Sequence, residues 1–141
     1  MPMKIYEWID ERGRGVVSDW PKLQKAQRDR LEMKLDKLVN AEVDPVTRQA
    51  NLPPQMLAGP GYDGEPFIYK LKARGNVQLR PMLCLGPFSN EDWTILYPSI
   101  EKGNALIPSD APQRAEVRRK EILANKGRRR LLVDDDESNE T

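Results

Sequence analysis

Four cations crowd one short stretch of the chain. In YKLKARGNVQLRPMLCLG, residues 69 to 86, Lys70, Lys72 and Arg74 alternate with apolar side chains, and Arg80 follows a Gly75-Asn76 turn signal. Alternation broken by Gly-Asn reads as a β-hairpin. A two-residue loop would set Lys72 against Leu79 and mix charged with apolar residues on both faces. A three-residue loop, Arg74-Gly75-Asn76, pairs Ala73 with Val77, Lys72 with Gln78, Leu71 with Leu79 and Lys70 with Arg80, so that one face is apolar and the other basic. A slip of one residue turns every side chain over, so burial of the apolar face selects the second register. That register opposes Lys70 and Arg80, a like-charge pair that destabilises a sheet. A bound anion reverses the sign. Lys70, Lys72, Arg74 and Arg80, with Gln78 on the same face, are therefore read as a phosphate site.

The surrounding elements must hold that face in place. MKIYEWID alternates as a strand does, and Gly13 and Gly15 end it. A helix is expected from about Asp19 to Ala41, with Pro21 in its first turn. Leu23, Leu31, Leu35 and Leu38 give it an apolar stripe that Met33 and Val39 widen. Its other face, with Lys22, Lys25, Arg28, Arg30, Lys34 and Lys37 among acids, reads as a solvated face with i,i+4 pairs. Residues 42–66 hold five prolines and three glycines and form a long connection. Strands are expected at about 67–74, 77–86 and 93–97. A last helix then begins at Ser109 or Asp110 as N-cap and runs to about Lys126, before Gly127.

The chain has 141 residues, a length that suits one domain. Its 38% hydrophobic and 32% charged content is that of a water-soluble globular protein, and a mean hydropathy of −0.72 implies much solvated loop. No apolar run approaches the roughly 20 residues of a membrane span, and no secretory h-region is visible. The single cysteine, Cys84, sits among Met82, Leu83 and Leu85. It reads as a buried strand residue, and its solitude fits a reducing cytoplasm. The overall balance of 23 basic against 22 acidic residues hides an asymmetry: the last eleven residues hold five acids and no base, leaving 23 against 17 on the rest. A folded domain over 1–127 and a disordered, basic-to-acidic tail over 128–141 are expected.

Six short pieces in order carry a family resemblance: Leu57-Ala58-Gly59, Tyr69-Lys70-Leu71-Lys72, Leu79-Arg80-Pro81-Met82-Leu83, Thr94-Ile95-Leu96, Glu101-Lys102-Gly103 and Pro108 through Ala115. Over about residues 4 to 124 the chain resembles the RelE/HigB toxins of toxin-antitoxin systems, especially their phage-derived branch. The resemblance implies an α+β fold: a small antiparallel sheet, an N-terminal helix or helical hairpin packed on one face, and a C-terminal helix. It also implies an open basic side that cleaves messenger RNA on the ribosome. The partners would be that RNA and an antitoxin, expected to be a helix-turn-helix protein, with no membrane, metal or cofactor.

In such a reaction a ribose 2′-OH attacks the adjacent phosphate, and pre-placed cations stabilise the developing charge. The implied catalytic residues are Lys70, Lys72, Arg80 and Tyr97; Arg74, Gln78 and Lys102 would bind RNA. Arginine cannot be the base, because its pKa lies above about 12. The chain has no histidine, so proton transfer would fall to a crowded lysine and to Tyr97. Lys72 replaces an arginine of the family pattern, Pro81 follows Arg80, and Glu101-Lys102 stands where relatives carry two lysines. Two other readings stay open: a non-catalytic binding protein of the same fold, for RNA or a protein partner, and an inhibitor of a host enzyme such as gyrase.

Overall fold

The computed structural model describes residues 3–20 and 23–133. Lys4–Trp8 (β1) leads through a loop to the helix Lys25–Val39 (α1). After the long connection come Leu57–Ala58 (β2), Ile68–Leu71 (β3), Gln78–Leu79 (β4), Met82–Leu85 (β5), Asp92–Tyr97 (β6), Ile100–Lys102 (β7) and Ala105–Ile107 (β8). Ala111–Ala124 (α2) and Arg129–Val133 (β9) complete the chain. Six strands form one sheet in the order β2-β3-β5-β6-β1-β9, and β4-β7-β8 form a second. The fold is α+β, but the large sheet is mixed rather than antiparallel, because β1 runs parallel to β6. Among the described residues no helix is long and apolar enough to cross a membrane.

The helices do not share one side of this sheet. Leu31, Leu35 and Leu38 of α1 pack with Tyr69, Leu71, Leu83, Trp93 and Ile95. The alternate residues of the same strands, Ile68, Met82, Cys84 and Leu96, pack with Ala111, Ala115 and Ile122 of α2. The two alanines present no bulk to the sheet, and a two-residue side-chain period gives each strand both an α1 face and an α2 face. Arg118 fastens α2 down: it stacks on Trp8 at 3.7 Å and on Tyr97 at 4.4 Å and donates to the Leu96 carbonyl at 2.9 Å. α2 thus covers the part of the expected open side that carries Ile68, Met82, Cys84 and Leu96. Cys84 lies fully buried, as expected, with its thiol pushed up to about 12 by burial.

Two boundaries depart from expectation. α1 begins at Lys25, not Asp19, because Asp19 is spent upstream, where its carboxylate accepts the Gly15 N–H at 2.6 Å; Pro21 lies outside the described residues. The tail expected from 128 is wrong for 129–133. These residues form β9, whose Arg129 pairs with Asp92 at 2.9 Å and stacks on Tyr6 at 3.7 Å. Residues 134–141 lie outside the described residues.

One buried acid organises this end of the molecule. Glu7 of β1 is fully buried and accepts the N–H groups of Val17 (2.9 Å) and Ser18 (3.0 Å), the Ser18 hydroxyl, and Arg130 of β9 (2.9 Å). Gly15 is glycine for lack of room, since a Cβ there would overlap the Glu7 carboxyl. Glu7→Ala strands these donors and should cost roughly 3–5 kcal/mol of stability. Gly15→Ala should cost about 1–3 kcal/mol through overpacking. Urea midpoints at unchanged slope measure both.

Candidate phosphate site

The strand expected over 77–86 breaks at Pro81, and the break makes the site. Counting from Leu79↔Ile100 and from Met82↔Tyr97 puts Arg80 opposite Ser99 and Pro81 opposite Pro98. Because the Arg80 N–H meets the Ser99 carbonyl, residues 80 and 99 form a hydrogen-bonded pair and the two prolines form the non-bonded pair beside it. Each proline lacks its N–H on the outer side of its strand, where Leu71 donates to the Pro81 carbonyl and receives no N–H in return. Arg80 and Ser99 close the gap: the Arg80 N–H donates to the Ser99 carbonyl at 2.7 Å, and the Ser99 hydroxyl donates to the Arg80 carbonyl. Beyond this joint the chain belongs to the small sheet.

The hairpin register differs from the expected one by two residues. Ala73 pairs with Leu79 and Lys70 with Met82. This brackets Lys72, not Lys70, against Arg80. A shift of two keeps every side chain on its face, so the cations still share one side. Part of that side is withdrawn from solvent. Arg80 is only 4% exposed and Lys70 8%, beside Tyr62 and the β7–β8 hairpin, whereas Lys72 is half-buried and Arg74 exposed.

Each buried cation has partners. Lys70 Nζ donates to the Tyr62 hydroxyl at 2.9 Å and lies 4.3 Å from the centre of that ring. Arg80 donates one terminal nitrogen to the Leu79 carbonyl at 2.9 Å and the other to Gln78 Oε1 at 3.2 Å. Glu101 Oε1 lies between them, 3.7 Å from Lys70 Nζ and 3.6 Å from Arg80 Nε. At that distance the Nε–H is attracted but not bonded, and it remains a buried donor without an acceptor. Arg74, Gln78, Arg80, Glu101, Gly103 and Asn104 enclose a recess of about 310 Å³.

The structure brings together Lys70, Lys72, Arg74, Gln78 and Arg80, and leaves two expected residues apart. The Tyr97 hydroxyl accepts from Arg114 of α2 at 3.2 Å, and Tyr62 takes the place beside Lys70. Lys102 is exposed on the opposite face of β7 from Glu101. Two contributors went unread. Glu101 looked only like a lost lysine, and the β7–β8 hairpin that presents it turns on Gly103-Asn104, with φ of 57° and 65°. That pair is a type I′ signal legible in sequence. Tyr62 had no signal, being placed by a turn with left-handed residues at Gly61, Asp63 and Gly64. Among the described residues no three His, Cys, Asp or Glu side chains are grouped to hold a metal. No family model, curated protein or solved structure matches the chain.

Lys72 is the titratable group that this crowding moves. Burial holds its pKa below the ordinary 10.5; Lys70, Arg80 and Arg74 push the same way, and Glu101 opposes them. The folded protein therefore binds this proton less tightly than the unfolded chain. Stability is penalised while the amine is charged, and rises with pH as it discharges, up to about the unfolded value. Lys72→Met should raise the melting temperature at neutral pH. The difference from wild type should shrink as pH climbs through 10.5, a trend that thermal melts across alkaline pH will record.

Proposed function

We propose that the protein is a RelE/HigB-like toxin that cleaves messenger RNA on the ribosome, with the Arg80 recess as its phosphate site. One observation carries the reading: a buried guanidinium whose Nε–H lacks an acceptor, on the wall of an open recess. An unmet buried donor costs about 1–3 kcal/mol, and a phosphate oxygen that takes the place of the Glu101 carboxylate 3.6 Å away would satisfy it. Arg74 and Arg80 line the recess against the single carboxylate of Glu101, with Lys70 and Lys72 nearby, so the balance is electropositive, and Arg74 offers a second fork at the rim.

The chemistry then follows from the residues. The deprotonated fraction of Lys72, which burial and the neighbouring cations enlarge, takes the proton of the ribose 2′-OH. The 2′-oxygen bonds to phosphorus, and the charge gathering on the phosphorane falls on Arg80 and Arg74. The bond from phosphorus to the 5′-oxygen breaks, and that oxygen takes a proton from Lys70. A 2′,3′-cyclic phosphate and a 5′-hydroxyl result. Tyr97, held by Arg114, has no part in this scheme.

A second reading has an observation of its own. Glu101 already sits at Lys70 and Arg80, as in a site that holds RNA without cleaving it. Induced expression without a partner should arrest growth, and programmed ribosomes should yield fragments with 5′-hydroxyl ends. Arg80→Ala should lower the rate about a hundredfold or more, some 2.7–4 kcal/mol. Arg80→Lys should recover part of that, because a point charge replaces a planar fork. Melting curves must accompany both variants, since Arg80 is buried. Normal growth, with RNA bound but intact, would establish the binding protein instead.

A further inference from the structure

We propose that α1 provides a second RNA subsite, so that the protein grips a single strand over several consecutive nucleotides. Arg30, Lys34 and Lys37 recur at i, i+4 and i+7 and line one side of a recess of about 530 Å³. Lys72, Arg74 and Gln55 line it too. Five of its cations thus meet without an acid in the lining, and none of the five is ion-paired among the described residues. Like charges one helical turn apart oppose helix formation, so the row is held against its own repulsion. A polyanion removes that repulsion.

The lining favours an unpaired nucleic-acid strand over other polyanions. Met33 lies within the row and is 61% exposed, although its spacing suggested a place in the apolar stripe. A thioether between cations gives a base an apolar surface while flanking phosphates meet the charges. The bases of a duplex are stacked away from such a surface. The two recesses also share a wall: Arg74 lines both, and the Arg30 guanidinium donates to the Arg74 carbonyl at 3.4 Å, holding α1 against the turn. A backbone lying in the Arg80 recess therefore continues past Arg74 onto α1. The choice of RNA rests on the proposed function; the charge row does not.

Binding to 2′-O-methylated RNA, which cannot be cleaved, separates this inference from the catalytic one. Fluorescence anisotropy would compare a dinucleotide with a strand of about eight nucleotides, for wild type, Arg80→Gln, and the triple variant Arg30→Gln, Lys34→Gln, Lys37→Gln. The triple variant should bind the longer strand roughly tenfold or more weakly and lose about 2 from the slope of log affinity against log salt. Its dinucleotide binding should match wild type and its melting temperature should be no lower, since the like-charge row is relieved, whereas Arg80→Gln should weaken both ligands. Equal losses for both lengths, or none for the longer, would overturn the subsite. So would displacement of the strand by polyglutamate at lower charge concentration than by RNA, which would mark an acidic protein's surface. Absence of cleavage on ribosomes, with length-dependent binding intact, would sink only the catalytic reading.

Discussion

Pro81 and Pro98 face each other across what would otherwise be one long hairpin, and the shape of the site depends on that pairing. Each proline turns the side that lacks an N–H away from the other, because the bonded pair is Arg80 and Ser99, so neither strand has an N–H to offer on its outer side at this rung. The register runs unbroken through the rung, from Leu79↔Ile100 to Met82↔Tyr97, before a bulge at Met82/Leu83, yet the halves of the hairpin belong to different sheets. The flanking residue, Arg80, must then do two things. Its backbone closes the joint through Ser99, and its side chain enters the angle between the sheets. The proline after the key arginine, an oddity when the strand is read as one piece, is what gives that arginine a recess.

Burial sets the electrostatics of this angle. Guanidinium and ammonium groups withdrawn from water need compensation, and Glu101, Gln78, Tyr62 and the Leu79 carbonyl supply most of it. What they leave over is specific: one N–H on Arg80 and an excess of positive charge. Glu101 is therefore a counter-ion that any phosphate must displace or share. Under the proposed function, a phosphate ligand would gain its affinity by improving on a carboxylate 3.6 Å away, not by filling an empty field.

The parts of the fold legible in the sequence were those fixed by local periodicity. Leu31, Leu35 and Leu38 marked α1, and the alternation through residues 69–74 sorted cations from apolar residues onto the correct faces. What failed needed information from distant residues. The register slipped by two because burial selects a face and cannot tell shifts of an even number apart. The face was taken as open, although Ile68, Met82 and Cys84 share its parity with Lys70 and Lys72 and already announced a second core. β9 was taken for tail because its arginines run into an acidic segment; the Asp92 and Glu7 that receive them lie far away in sequence. Of the site, the basic residues of the hairpin were legible, whereas Glu101 and Tyr62 were not, since loops and a second sheet deliver them.

The outer strands of the large sheet have a consequence for how copies of this chain behave together. A sheet edge offers unpaired N–H and C=O groups as a template for another chain. Here one edge is β2, only two residues long, too short to seed an added strand. The other is β9, which carries Arg129 and Arg130, charged side chains of the kind that blunt a sheet edge. Neither border of this largely apolar sheet is therefore a long, uncharged template for strand addition.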